Sequence, residues 1–259
     1  HLRELFQWNE EQLLNFHIDF VEYLRKLKEW ELFDQNFNRL FKNCNDERVM
    51  LIMAKSQYDR GIIKNLSVFE EIIKRLTKND GVYCDAICAY ASRFPISPDI
   101  ILKIKEVIEI QPARVCAWKY WSYFNFGCIK KGEKQKNIIE FASNAIQGFS
   151  KLVQLTSPSF HYLCQLCSIF FTYGPKLYNF KDMVKYLTSL SNSSILQIIP
   201  QLFIQLNHSS EEVRETVYII IKKFAEKHFQ ALTMPLCFIS NTNTKDFHNF
   251  LLKIMNDFK

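Results

Sequence analysis

Two cysteine pairs in the sequence have the spacing of metal-ligand half-sites. Cys164 and Cys167 are three residues apart, with His161 upstream, and Cys84 precedes Cys88 by four. A structural zinc site joins two such halves around a tight turn, because four ligands must reach one ion. Both pairs lie instead in apolar stretches with helical periodicity. We therefore favour buried thiols over a zinc site and expect no bound metal.

Other residues whose side chains could take part in catalysis lack the partners that catalysis needs. His208 could act as a general base, but no nucleophile or carboxylate stands at a recognisable spacing, so a turn at a helix end is favoured. Asp246 and Asn249 superficially resemble a kinase catalytic loop, but their spacing is too short and a downstream magnesium-binding Asp is missing. Trp118 and Trp121 could form a ligand cage, although packing between helices is favoured. No Gly pair has the spacing of a phosphate-binding loop. The sequence predicts no catalytic, cofactor-binding or metal-binding residue.

The composition is that of a folded protein. The chain has 259 residues, of which 48% are hydrophobic, with 6 Gly and 7 Pro, and this length can bury a sizeable core. Its 23 Phe fit either a helical array that uses Phe as core filler or the codon usage of an AT-rich genome. The net charge is +6, but the basic residues are scattered. Solvated helix faces are therefore favoured over a nucleic-acid interface.

Features of targeting point to a reducing compartment. The sequence shows no signal peptide, and no apolar run approaches the roughly 20 residues of a membrane-spanning helix. Eight Cys without secretory features favour reduced thiols in the cytoplasm, with the nucleus and the surface of endomembranes as alternatives. The chain begins with His1 rather than Met, so we expect a fragment of a longer protein.

Nearly every segment of the chain has helical periodicity. We expect about a dozen helices joined by short links, which is typical of an all-α solenoid. Residues 1–127 have the pattern of degenerate tetratricopeptide units, and residues 137–259 that of HEAT-like hairpins. The Lys-rich loop at 127–136 is the predicted boundary between them. A last amphipathic helix is expected from Thr244 to Phe258.

The stretch from Ser194 to Ser240 predicts a helical hairpin. One face of its first helix is apolar, at spacings of three and four: Leu196, Ile199, Phe203 and Leu206. Pro200 is expected to kink this helix or to end its first turn. Ser209 and Glu212 have the spacing of a capping box that starts the second helix.

Proline and glycine predict further helix boundaries. Ser97-Pro98 and Ser157-Pro158 each combine an N-cap residue with Pro at the first helical position. Pro112 is expected to begin the helix that carries the two Trp residues, and Gly127 is expected to end it.

Five short motifs occur in one order along the second half of the chain. They are Ala117-Trp118-x-x-Trp121-x-x-x-Asn125-Phe126, Ala145-Ile146-Gln147-Gly148-Phe149, Tyr173-Gly174, Ile198-Ile199-Pro200-Gln201-Leu202 and Gln230-Ala231-Leu232-x-x-Pro235-Leu236. In this order, over residues 110–258, they resemble the end of the FAT domain of phosphatidylinositol-3-kinase-related protein kinases, most of all TOR-type kinases. Two positions depart from the TOR-like pattern: Ile195 stands where Trp is usual, and Phe229 where Pro is usual.

The resemblance implies a curved helical scaffold. Such a scaffold braces the serine/threonine kinase domain of the same protein and binds accessory subunits, with a second copy as a further partner. ATP and magnesium would bind in that kinase domain, outside this chain. The alternatives are a FAT segment of a nonsense-mediated-decay or DNA-damage kinase, a stand-alone helical adaptor, and a basic solenoid that binds nucleic acid or an inositol phosphate.

Overall fold

A computed structural model describes residues 8–42, 44–63, 67–78, 81–93, 95, 97–131, 135–156 and 159–240. These residues form twelve α-helices and two short 3-10 helices, and they contain no β-strand. The prediction of an all-α protein is therefore confirmed.

The helices follow one another with short connections. They are α1 (Glu10–Leu27), α2 (Trp30–Leu40), α3 (Glu47–Asp59), α4 (Ser67–Arg75), α5 (Gly81–Arg93), α6 (Pro98–Ile110), α7 (Val115–Lys130), α8 (Gln135–Leu155), α9 (Phe160–Tyr173), α10 (Phe180–Thr188), α11 (Asn192–Ile204) and α12 (Glu211–Ser240), with 3-10 turns at Gly174–Lys176 and Gln205–Asn207. Within the described ranges, no helix is both long and apolar enough to cross a bilayer.

The chain divides into two compact units, His1–Lys103 and Ile104–Lys259. Within each unit, helices pack mainly on their neighbours in the chain, as in helical-repeat proteins. Helices α7 and α8, which flank the Lys-rich loop, pack against each other. The assignment of tetratricopeptide-like and HEAT-like halves on either side of that loop stays a prediction.

Helix α1 is fixed at both ends by its own sequence. The Gln12 backbone N–H donates to Asn9 Oδ1 at 2.8 Å, and the Asn9 N–H donates to Gln12 Oε1 at 3.0 Å. This capping box satisfies donors that the helix itself leaves unpaired. At the other end, Lys28 adopts the left-handed conformation with φ 61°. The helix therefore stops at Leu27, and α2 begins at Trp30.

One apolar core cluster of the first unit lies among α1, α2 and α3. Its buried apolar side chains are Val21, Leu24, Phe33, Phe37, Phe41, Val49 and Ile52. Phe33, Phe37 and Phe41 follow one another at four-residue intervals, with ring centroids 5.3 Å apart at each step. Beside this core, an open apolar recess of about 300 Å³ is bordered by α2, α3 and α4.

The second unit has one continuous apolar core. Helices α7, α8 and α9 pack in chain order, and α11 packs on α12. Its largest fully buried side chains are Ile146, Phe149, Leu152, Leu163, Leu166, Phe170, Phe203 and Phe224. The apolar stripe of α12 is buried in this core: Val213, Val217, Ile220, Ile221 and Phe224. α12 runs for 30 residues, with a kink at His228.

The predicted hairpin forms, but two of its details were wrong. Leu196 is exposed, because the buried face of α11 is centred on Ile195, Ile198, Ile199, Leu202 and Phe203. Of the two alternatives expected for Pro200, an end of the helix does not occur, because α11 continues through Pro200 to Ile204. α12 is capped by Ser210 rather than Ser209: the Val213 N–H donates to Ser210 Oγ at 3.4 Å.

The predicted limits of the tryptophan helix were also wrong. α7 begins at Val115, after a turn that contains Pro112, and it continues through Gly127 to Lys130. A glycine inside a helix costs about 1 kcal/mol, which the packing of α7 on α8 can offset. By contrast, Ser97-Pro98 begins α6 as predicted, with the Ile100 N–H donating to Ser97 Oγ at 3.4 Å.

Several predicted features lie outside the described residues. These are the Ser157-Pro158 cap, residues 132–134 of the Lys-rich loop, the helix expected from Thr244 to Phe258, and the Asp246 and Asn249 pair. The described part of the predicted 127–136 loop is mostly helical, because α7 continues to Lys130 and α8 begins at Gln135.

Candidate protein-interaction site

Helices α7 and α8 approach so closely that only glycine fits at residue 148. A Cβ atom at Gly148 would lie 2.2 Å from Ser122 Oγ and 3.2 Å from Trp121 Cδ1. Ser122 Oγ is itself held in place, because it donates a hydrogen bond to the Trp118 carbonyl at 2.7 Å. The missing side chain of Gly148 therefore sets the distance between the two helices.

Aromatic contacts surround this closest approach. Phe149 is fully buried, and it meets Tyr123 and Phe126 edge to face, with ring centroids 5.4 and 6.1 Å away. Trp118 is buried, and its indole N–H donates to the Pro112 carbonyl at 2.8 Å. The half-buried Trp121 packs against the same core. The prediction that the two Trp residues pack between helices is confirmed.

The crossing of α7 and α8 unites the first two sequence motifs of the resemblance. The motif at residues 117–126 supplies Trp121 and Ser122, and the motif at residues 145–149 supplies Gly148 and Phe149. Sequence reasoning had noted the two motifs separately. Ser122, the residue that meets Gly148, was missed, because a small residue inside a helix carries no signal of its own.

The later motifs also lie largely in the interior. Ile198, Ile199 and Leu202 of α11 are buried in the core of the second unit. A Cβ atom at Gly174 would approach the ring of Phe180 to 3.3 Å. Leu232 is fully buried, too. These buried motif residues therefore position helices, and a functional surface must be sought among the exposed side chains of those helices.

The exposed side of α11 carries an apolar ridge. We define the α11 ridge as Leu196, Pro200 and Ile204, three exposed residues at four-residue intervals. Leu196 is 54% exposed and Ile204 is 69% exposed. Eight residues of helix extend over about 12 Å. An apolar ridge on a helix that is anchored by its opposite face is suited to contact another protein.

The cysteine pairs lie inside helices, among buried apolar side chains. Cys167 is buried, and burial, together with the neighbouring Cys164, raises its pKa to about 12. Burial also raises the pKa of the half-buried Cys164. A thiol must lose its proton to bind a metal, which these raised pKa values oppose. Cys84 and Cys88 are buried in α5. The described residues contain no group of three or more potential metal ligands.

The two candidate histidines have structural partners. His161 Nε2 lies 2.5 Å from the Tyr123 hydroxyl, so its ring is directed at α7. His208 lies in the turn before α12, where Nδ1 accepts from the Ser210 N–H at 3.0 Å and the carbonyl accepts from Arg214 at 2.6 Å. The predicted position of His208 at a helix end is therefore confirmed.

In the first unit, an ion-pair network joins three helices. Arg25 of α1 pairs with Asp59 of α3, and Asp59 also accepts from Arg93 of α5 at 3.0 Å. Arg25 additionally donates to both carboxylate oxygens of Glu22, at 2.7 and 2.8 Å. The side chains of Arg25 and Arg93 are 11% and 12% exposed. Such nearly buried charges depend on their partners, because losing one leaves another without compensation.

The electrostatics of Glu22 and Lys55 follow from this network. Burial would raise the pKa of Glu22, but the hydrogen bonds from Arg25 and the charges of Lys55 and Arg25 outweigh it and lower that pKa. Burial is also the main reason that the pKa of Lys55 is lowered. Lys55 Nζ lies 3.9 Å from Glu22 Oε1. Both residues line a cavity of about 550 Å³.

The spacing of the network is regular along the chain. Arg25, Asp59 and Arg93 are separated by 34 residues at each step. A 34-residue interval is the length of one tetratricopeptide repeat. Sequence reasoning missed this network, although charges that recur at a constant interval of about 34 residues are a signal that the sequence alone contains.

Comparison with known proteins finds a distant relationship. No protein-family model matches the chain. The chain is similar to the serine/threonine-protein kinase mTor of Drosophila melanogaster, at 23% identity over 192 residues, which cover 63% of this chain and 8% of the fly protein. The chain thus corresponds to a small part of that kinase's length. It is an all-helical stretch with distant similarity to a TOR-type kinase.

Proposed function

We propose that the chain is a FAT-domain segment of a TOR-like serine/threonine protein kinase, and that it braces the kinase domain and binds partner subunits in growth and nutrient signalling. The observation that carries this proposal is the similarity to the fly mTor kinase. The order of the five motifs adds to it. Their placement in the α7–α8 crossing and in the core of the second unit gives them a common role in positioning helices.

A segment that braces a kinase domain has to be rigid, and two features of the second unit provide rigidity. The α7–α8 crossing leaves no space for a Cβ atom at Gly148, so the two helices cannot approach further. The α11 ridge stands on a helix whose opposite face is buried in the same core. We assign the α11 ridge as the surface that contacts the kinase domain of the parent protein. Rigid apolar side chains of this kind bind a partner at little cost in conformational entropy.

In this proposal, phosphoryl transfer belongs to another part of the parent protein. ATP and magnesium would be bound by the kinase domain outside this chain. The part played by this chain is to hold that domain in position, which affects catalysis through orientation rather than chemistry.

The first unit fits the tetratricopeptide-like half of such a domain. The interval of 34 residues between Arg25, Asp59 and Arg93 favours three successive helical repeats. The hairpin of α11 and α12 favours the HEAT-like assignment for residues 137–259.

The proposal is tested on the endogenous protein. An antibody raised against this chain should detect a protein several times larger than 30.8 kDa. The immunoprecipitate should transfer phosphate from ATP to a serine- or threonine-containing peptide, and chelation of magnesium should stop the reaction. A band at the size of the chain alone, without kinase activity, would contradict the proposal.

The role of the α11 ridge is tested in the same parent protein. Ile204→Asp should reduce kinase activity and expose the kinase domain to limited proteolysis. The matched control is Phe160→Asp, which changes a 51% exposed apolar residue of α9, away from the ridge. Equal effects of the two substitutions would show that the ridge has no special role.

A stand-alone helical adaptor is the second candidate, and the exposed apolar positions of the helices favour it equally. It predicts a natural protein of the chain's own size that binds partners without any kinase. A FAT segment of a nonsense-mediated-decay or DNA-damage kinase is the other alternative. The sequence of the kinase domain in the parent protein would distinguish such a kinase from a TOR-like one.

A further inference from the structure

Lys55 of α3 faces a polar cavity of the first unit. The cavity has a volume of about 550 Å³, and both Lys55 and Glu22 line it. It opens to solvent, because Asp19, Lys26 and Asp85 on its border are exposed. The side chain of Lys55 itself is only 16% exposed. A molecule that enters the cavity therefore meets a primary amine that is largely shielded from bulk water.

The amine of Lys55 lies close to a carboxylate without a hydrogen bond to it. Lys55 Nζ is 3.9 Å from Glu22 Oε1, which exceeds the length of a hydrogen bond. Among the residues that the structure describes, no other atom accepts a hydrogen bond from this nitrogen. Glu22 is already engaged, because Arg25 donates to both of its carboxylate oxygens. The amine of Lys55 is therefore available to a molecule in the cavity.

The charges around Lys55 come from three helices. The charged residues that border the cavity or act on Lys55 are Asp19, Glu22, Arg25 and Lys26 of α1, Arg48 of α3, and Asp85 and Arg93 of α5. Burial, which disfavours the charged ammonium, is the main reason that the pKa of Lys55 is lowered, and the nearby guanidinium groups act in the same direction. The two carboxylates of Glu22 and Asp85 only partly oppose this. More of this amine is thus uncharged at neutral pH than in an ordinary lysine, and the uncharged amine is the nucleophile.

We propose that Lys55 is an acylation site, which takes a short acyl group from an acyl thioester. Nζ attacks the carbonyl carbon of the thioester, the carbon–sulfur bond breaks, and one proton of the amine passes to the sulfur, which leaves as a thiol. The product is an amide at Lys55. The carboxylate of Glu22 stabilises the positive charge that develops on Nζ during the attack. This inference does not depend on the proposed function, because it uses the first unit alone.

The wall of the cavity suits an acyl group. Ile18, Leu51 and Val82 line it beside the charged residues, so a short aliphatic chain on Nζ has apolar side chains to contact. Acylation also replaces a largely buried ammonium with a neutral amide, which removes the unfavourable burial of a charge. Glu22 keeps its ion pair with Arg25. The acylated chain should therefore remain folded.

Competition between two lysines tests the inference. The whole chain is incubated at neutral pH with the acetyl thioester of N-acetylcysteamine, and peptide mass spectrometry follows each lysine. Lys185 is the matched comparison, because it is 77% exposed and its hydrogen bond to Asp182 raises its pKa. Lys55 should be acetylated severalfold faster than Lys185, although it is far less exposed. Equal or slower acetylation of Lys55 would overturn the inference.

The dependence of the initial rate on pH separates reactivity from access. The rate at Lys55 should level off at a lower pH than the rate at Lys185, because the amine with the lower pKa is fully uncharged at a lower pH. Access to the two lysines alone would give profiles of the same shape. Parallel profiles would therefore overturn the inference.

Substitution of a cavity residue tests the route to the amine. Val82→Phe should fill part of the cavity and slow acetylation of Lys55, while Lys185 reacts as before. Val82→Ala, the matched control, should not slow either lysine. Circular dichroism of both variants confirms that the helices remain folded. An unchanged rate at Lys55 in folded Val82→Phe would show that the cavity does not admit the thioester, and the inference would fail.

A last variant distinguishes a reactive lysine from a structural ion-pair partner of Glu22. Lys55→Met keeps much of the length of the side chain and removes its charge. It should not lower the melting temperature, because burial of an ammonium is unfavourable. A clear loss of stability would show that Lys55 is needed as a charged partner in the fold, which would contradict its assignment as an acylation site.

Discussion

Different interactions stabilise the interior of each of the two units. In the first unit, helices α1, α3 and α5 share a network of charges centred on Asp59, and an open recess of about 300 Å³ adjoins the apolar core. In the second unit, an apolar core is continuous from α7 to α12. There, Lys185 and Asp182 form an ion pair within one helix at the surface.

This difference determines what each unit tolerates. An apolar core depends on shape, so that a lost or added methyl group is costly wherever the packing is tight. A nearly buried charge network depends on its partners and on pH, because each charge has to be balanced. We therefore expect the second unit to respond most to changes of volume and the first unit to changes of charge.

The largest effect is expected for truncation in the core of the second unit. Leu202→Ala should lower the free energy of unfolding by about 2–5 kcal/mol, because it removes a fully buried side chain and leaves a cavity. The same substitution at Leu196, which is 54% exposed on the same helix, should cost less than about 0.5 kcal/mol. Urea denaturation measures both. Similar losses would contradict the burial assigned to α11.

Removal of the central carboxylate should be the most damaging change of charge in the first unit. Asp59→Ala should cost about 2–3 kcal/mol, because two guanidinium groups lose their common partner. Hydrogen exchange measured by mass spectrometry should show that the backbone amides of α1, α3 and α5 lose protection, whereas those of the second unit keep it. Glu71→Ala, which breaks the exposed Arg75–Glu71 pair, should cost no more than about 0.5 kcal/mol. Equal costs would mean that the network contributes no more than a surface pair.

Substitution by alanine is predicted to have opposite effects on stability at two glycines, Gly148 of α8 and Gly127 of α7. Gly148→Ala should destabilise the chain by about 1–3 kcal/mol, because its Cβ would overlap Ser122. Gly127→Ala should stabilise it by about 0.5–1 kcal/mol, since no atom lies within 4 Å of the new Cβ. Thermal melting compares the two. In a Ser122→Ala background, Gly148→Ala should cost less, and an unchanged cost would show that another contact limits the approach.

Acid should weaken the first unit through Glu22. The pKa of Glu22 in the folded chain is lowered below its ordinary value of 4.5. Its ion pair therefore stabilises the fold above that value, and the stabilisation is lost as the pH falls through the lowered pKa. Glu22→Gln should be less stable at neutral pH and should lose less stability on acidification. Urea midpoints at neutral and acidic pH test this; parallel losses in both chains would exclude Glu22 as a source of acid sensitivity.

The smallest effects are expected at the cysteine pair. Cys164→Ala should change stability by less than about 1 kcal/mol, because Cys164 is half-buried and acts as a small apolar residue. A metal chelator should leave the melting temperature unchanged. Cys167, with its pKa raised to about 12, should resist alkylation at neutral pH until the chain unfolds. A chelator-dependent loss of stability would restore the zinc hypothesis.

Much of the fold could be predicted from the sequence, because its signals are local. Helical periodicity predicted the all-α fold, and the Ser97-Pro98 cap predicted the start of α6. Helix limits failed where tertiary packing outweighed local preference, as at Gly127, which remains helical within α7. The exposure of Leu196 was missed, because a face that is apolar at spacings of three and four does not reveal where its centre lies.

The candidate site was less predictable, since its contacts join distant parts of the chain. Trp121 and Gly148 were both noted from the sequence, but only the folded chain shows that they meet. The network of Arg25, Asp59 and Arg93 combines residues that appeared to be ordinary surface charges.

Asp59 has a mechanical consequence. One carboxylate holds the guanidinium groups of two different helices, so a pull on α1 is transmitted through Arg25 to α3 and through Arg93 to α5. Force applied at one end of the first unit would thus be shared by three helices before any of them separates. If the unit lies within a long assembly under tension, Asp59 should keep α1, α3 and α5 together. The three helices should then unfold in one step instead of one after another.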